Sequence, residues 1–159
     1  YFQNKQDVFL SVIENRVVRH LDLLDSQLKC VTSPEQLLAT IVASTIKFFL
    51  AHQGFMNVLW EAFRFADADW QCRLLGCQQM INRRLLVYIS KVVRPDSAIS
   101  PPTLVDALMG AVHAVVSGRL VRNEKVDPEN TAREIVALLL PGILGATIDS
   151  DPNICQNGA

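Results

Sequence analysis

Tyr1-Phe2-Gln3-Asn4-Lys5 sets a phenol hydroxyl, a carboxamide and an ammonium where an amphipathic helix begins. With the free backbone N–H groups of a helix N-terminus, the Tyr1 phenol and the Lys5 ammonium suit a phosphate oxygen. Contacts of that kind hold a protein on DNA without reading its bases. A purely local reading stands beside it: Asn4 caps the helix, and Gln6 and Asp7 fill a first turn whose dipole favours a carboxylate. Other chemistry finds little footing. His20, His52 and His113 stand far apart, and no Glu-x-x-His pair sets metal ligands on adjacent turns. No Gly-x-Ser-x-Gly elbow, glycine-rich phosphate loop or His-Glu-x-x-His occurs either. The expectation is a protein that is not an enzyme, with no catalytic residue, no metal and no cofactor. Cys30, Cys72, Cys77 and Cys155 form no CxxC pair, which fits neither a zinc site nor a disulfide framework. Cys72 and Cys77 are turned by about 500° along one helix, away from a shared face.

The elements that would carry these residues are helical throughout. From Lys5 to Leu28, the residues Val8, Phe9, Val12, Ile13, Val17, Leu21, Leu24 and Leu28 follow the three-and-four spacing of a buried face. Ser33-Pro34-Glu35-Gln36 reads as an N-cap, a first-turn proline and a capping box, opening a second helix from Pro34 to about His52. Gly54 closes it, and a short apolar segment, 55–65, follows. A fourth helix, with Asp67 and Asp69 as candidate caps, runs to about Val93. Ser100-Pro101-Pro102 opens a fifth through Arg122, and Asp127-Pro128-Glu129 a sixth through about Ala146. At 159 residues, half of them apolar and 19% charged, the chain can bury one full core. A net charge of −1 gives it no overall basic field to draw in nucleic acid. No apolar run approaches the roughly 20 residues of a membrane span, so a soluble protein with no membrane partner is expected, and the four cysteines fit reduced thiols in a cytoplasm.

Two regions carry more apolar surface than one helix face needs. On the helix from Thr103 to Arg122, Val105, Leu108, Val112 and Val115 form one side. Ala107, Gly110, Ala111, Ala114, Ser117 and Gly118 form a strip of small residues beside it. Glycine inside a helix costs about 1 kcal/mol relative to alanine, so Gly110 and Gly118 call for a compensating close contact. The last helix, with Ile135, Leu139 and Ile143 among its apolar residues and Pro141 in its interior, leaves almost no polar side. Either both helices serve a large core within the chain, or they pack against their mates in a homodimer, with Ala107, Gly110, Ala111, Ala114, Gly118, Ile135, Leu139 and Ile143 at the interface. The large aromatics gather between residues 48 and 70, where Phe48, Phe49, Met56, Trp60, Phe63 and Trp70 serve either as core or as walls of a pocket between helices. His113 either bonds a ligand or sits satisfied in the core.

The opening peptide resembles the signature with which TetR-family transcription repressors leave their helix-turn-helix and enter the regulatory domain, Tyr-x-(His/Tyr)-Phe-x-(Asn/Ser)-Lys-(Glu/Asp)-x-Leu. Phe2, Asn4, Lys5 and the apolar Val8 and Phe9 fit it. Leu140-Pro141-Gly142-Ile143-Leu144 also looks like the Leu-Pro-Gly-Leu segment of that family's last helix. The resemblance implies an all-α, TetR-like regulatory domain of about six helices, the last two forming a dimeric four-helix bundle. It divides the chain into residues 1–4, the end of a DNA-binding domain; 5–146, an effector-binding and dimerisation domain; and 147–159, a flexible tail. It further implies that the DNA reader itself precedes Tyr1. Operator DNA would be bound through that domain, with Tyr1 and Lys5 on phosphates. A small hydrophobic or aromatic effector would occupy a pocket walled by Phe48, Phe49, Met56, Trp60, Phe63, Trp70 and His113. The alternative is a helical protein–protein interaction module with no small-molecule effector.

Overall fold

The computed structural model describes residues 5–53, 68–94, 97 and 99–144. Among these it is all-helical: α1 (Lys5–Leu28), α2 (Pro34–Ala51), α3 (Ala68–Ile89), α4 (Pro101–Val121) and α5 (Pro128–Leu144). The short segment 55–65 and the tail 147–159 lie outside the described residues, as does Tyr1; Lys5 is the first residue of α1.

The helix ends sit where the local chemistry puts them. The Ser33 hydroxyl accepts from the Gln36 amide at 3.5 Å ahead of Pro34. Ser100 accepts from the Thr103 amide at 3.3 Å ahead of Pro101, and the Asp127 carboxylate accepts from the Asn130 amide at 2.7 Å ahead of Pro128. In each case a side-chain oxygen satisfies an amide that the helix cannot, and the following proline has no amide to satisfy. Helix α4 stops in a Schellman arrangement. Asn123 takes a left-handed φ of 55°, while Glu124 N–H bonds back to Arg119 O at 2.9 Å and Asn123 N–H to Leu120 O at 3.0 Å.

Helix α2 is the axis of the core, with Leu38, Ile41, Val42 and Ile46 fully buried. It packs most extensively on α5 and also meets α1, α3 and α4. The main core joins α2 to Leu24 and Leu28 of α1, Leu85 and Ile89 of α3, Leu104, Leu108 and Val112 of α4, and Ile135 and Val136 of α5. A second cluster sets Leu10, Ile13, Val17 and Leu21 of α1 against Trp70, Leu74 and Cys77 of α3. This fixes the rotation of α1 differently from the sequence reading. Leu10 is fully buried, whereas Val8 and Val12 are 43% and 40% exposed, because the stripe 10, 13, 17, 21, 24 lies roughly opposite both valines at about 100° per residue. Polar clasps tie α1 to α3 at both ends: Asp7 accepts from Arg73 at 2.7 Å, and Asp25 accepts from Arg84 and from the Tyr88 hydroxyl at 2.8 Å.

The face of α4 turned away from the core is uncovered in the single chain. Ala107, Gly110 and Ala114 are exposed, and Ala111 and Gly118 are half-buried. A methyl group built on Gly110 would meet nothing within 4 Å. Val121 at the end of α4 and Leu138 on α5 are exposed at 82% and 76%. By length and composition α4 is apolar enough to cross a membrane, with a mean hydropathy of 1.5 over a window that is 28% buried. The sequence reading looked for unbroken apolar runs; averaged over a window, Asp106 does not offset the Leu, Val and Ala around it.

Candidate functional site

Helices α1, α2, α3 and α4 enclose a cavity of about 90 Å³. Helix α1 contributes Ile13, Val17, His20 and Leu24 to its described wall, and α2 contributes Thr45, Phe48 and Phe49. Helix α3 adds Leu74, Cys77, Gln78 and Ile81, and α4 adds Met109. The stripe that buries α1 creates the first group, and α2 can supply the second because it is apolar on more than one side. The lining is mostly hydrocarbon, aromatic ring and sulfur, the composition of a site for an apolar ligand held by few polar groups.

Those polar groups are neutral. The Thr45 hydroxyl donates to Ile41 O at 2.8 Å, and Gln78 donates to Asn82 at 3.0 Å. Burial, and secondarily the neighbouring His52, hold the His20 imidazole down at about 4 instead of 6.5, so at neutral pH it offers one donor and one acceptor and no charge. Burial, with Glu14 second, pushes the Cys77 thiol upward. A cysteine and a histidine therefore share this cavity with shifts opposite to those that activate a thiolate–imidazolium pair, which needs the thiol lowered and the imidazole raised.

Rings pack at a tilt along one side of the cavity. The His20 and Phe48 ring centroids lie 4.6 Å apart, Phe48 and His52 likewise 4.6 Å apart, and the His52 Nδ1 meets the Phe48 carbonyl at 2.8 Å. Behind them the Phe49 ring stands 6.4 Å from that of His113.

Compared with family models, curated proteins and solved structures, the chain matches none.

Of the expected pocket residues, Phe48 and Phe49 line the cavity. His113 is half-buried on α4 and reaches the site through its ring contact with Phe49. Trp70 is buried in the α1–α3 cluster together with Leu74 and Cys77 of the cavity wall, and it stacks on Phe9 at 5.7 Å. Met56, Trp60 and Phe63 lie outside the described residues. Ile135, expected at the dimer interface, is 3% exposed within the chain's own core, so it has no surface left for a partner. Leu139 packs partly against that same core, and Ile143 falls in the last turn of α5. His20 is a wall residue that the sequence reading does not single out, although it stands three residues after Val17 and four before Leu24, on the stripe that the periodicity marks.

Proposed function

We propose that the chain is the effector-binding and dimerisation domain of a TetR-like, cytoplasmic transcriptional repressor, released from its operator by a small hydrophobic or aromatic molecule. One observation carries this reading. Helix α1, which begins at the Lys5 of the phosphate-contact peptide, supplies Ile13, Val17, His20 and Leu24 to the cavity wall. A ligand in the cavity touches the helix whose first turn adjoins the proposed DNA contact, and a ligand that fits one position of α1 better than another shifts the population toward it. The small-residue face of α4 supports a symmetric dimer, because a methyl group on Gly110 would meet no other element among the described residues and a partner backbone supplies a reason for the helical glycine. Two such protomers would set two DNA-reading heads on successive major grooves of a palindrome.

A helical interaction module without an effector is the second reading, favoured by the uncovered Val121 and Leu138. Selection of DNA from a random-sequence library by the full gene product separates the two. Enrichment of a palindrome supports the repressor, and recovery of DNA without any shared sequence supports the module.

A further inference from the structure

The polar part of the cavity wall has more acceptors than donors to offer. The Thr45 hydroxyl gives its one hydrogen to Ile41 O at 2.8 Å, so its oxygen can only accept from a ligand. Gln78 gives an amide hydrogen to Asn82 at 3.0 Å, and its carbonyl oxygen accepts. His20 makes no hydrogen bond to another described residue. It is 9% exposed and meets the Phe48 ring by packing, which leaves a neutral imidazole with one acceptor nitrogen and one N–H to satisfy. The ring also borders the open groove between α1 and α2. Its two nitrogens point apart, so a partner on the groove side still leaves the other for the cavity. Thr45 stands one turn before Phe48 on α2, beside the ring on which His20 packs. No charged residue is among the described lining, so an anion placed inside would be desolvated with nothing to balance it.

We infer that the cavity takes a small neutral phenol, its ring among Val17, Leu74, Ile81 and Met109 and its hydroxyl donating to the His20 imidazole. The inference rests on the effector reading of the cavity and adds the ligand's chemical class. A phenol is uncharged at neutral pH, and it donates more strongly than it accepts, which is the complement of this lining. Size agrees with a single ring. An apolar cavity of about 150 Å³ holds benzene, so one ring is the upper limit for about 90 Å³, with the half-buried, unbranched Met109 as the side chain that gives way.

Calorimetric titration of the full chain at pH 7.5 with phenol and with toluene, which carries a methyl group in place of the hydroxyl, tests this. The ratio of phenol to toluene affinity is expected to fall about tenfold in His20→Leu, the scale of a hydroxyl buried without its partner, while toluene still binds the variant. A second readout needs no variant. In the unaltered chain, ¹⁵N-labelled at histidine, phenol is expected to move the acceptor-nitrogen resonance of His20 toward that of a hydrogen-bonded imidazole, and toluene is not. A ratio unchanged in the variant, or a His20 resonance that bound phenol leaves in place, overturns the hydroxyl assignment and leaves the cavity reading standing. Failure of both compounds to bind at millimolar concentration overturns the cavity reading and this inference with it.

Discussion

The His20 imidazole lies against the Phe48 ring, their centroids 4.6 Å apart, and this pair is where α1 meets α2 at the cavity. It joins the helix that starts at Lys5 to the helix at the centre of the core. Because His20 is buried and neutral, the contact is a packing contact that shape and protonation can each disturb.

Removing the ring tests the packing. Phe48→Ala is expected to cost about 2 kcal/mol in urea denaturation, less than a fully buried phenylalanine because Phe48 is half-buried. It also removes one wall of the cavity. Hydrophobic compounds that raise the melting temperature of the unaltered chain, by ordinary ligand linkage, are therefore expected to lose most of that effect. An unchanged ligand-induced shift would show that Phe48 is not a wall of the binding site.

Protonation gives the second test. The His20 pKa is held at about 4 in the folded chain against an ordinary 6.5, so the unfolded state binds this proton first as pH falls. The resulting stabilisation is complete above pH 6.5 and is lost as pH drops from there toward 4, by on the order of 3 kcal/mol at most. Unfolding free energies measured between pH 7.5 and pH 5, above the main carboxylate range, are expected to fall in the unaltered chain and stay flatter in His20→Phe. Parallel curves would place the pH dependence elsewhere.

Oligomeric state provides the third. Light scattering at micromolar concentration is expected to give a dimer mass for the unaltered chain and a monomer mass for Gly110→Arg. The described residues leave open space at Gly110, so loss of the dimer would report a partner and not a clash within the fold. Gly76, also open to solvent in a helix, is the control: Gly76→Ala is expected to stay dimeric and gain up to about 1 kcal/mol from helix propensity. A dimeric Gly110→Arg would move the interface off this face.

The helices were legible because their starts are punctuated by side chains that act locally. Ser33-Pro34, Ser100-Pro101 and Asp127-Pro128 specify their caps within four residues, whatever the rest of the chain does. The rotation of α1 was not legible in the same way. Val8, Phe9, Leu10, Val12 and Ile13 offer apolar side chains in several directions, and the choice of Leu10 over Val8 and Val12 is made by Trp70 and Leu74 of α3, some sixty residues away in sequence. Phe48 and Phe49 could be picked as wall residues because a run of large rings at the end of a helix cannot all face one core. His20 is not legible as a wall residue in the same way, because the ring it meets, Phe48, stands on another helix.

One titration addresses the proposed coupling of cavity to DNA. The full gene product is bound to its selected operator, and fluorescence anisotropy follows the complex as a compound known to occupy the cavity is added. The account predicts that saturating the cavity weakens operator affinity by at least about fivefold, the lower end of ordinary allosteric coupling, and that Phe48→Ala abolishes the response. Operator affinity that stays the same while the cavity is full would contradict it.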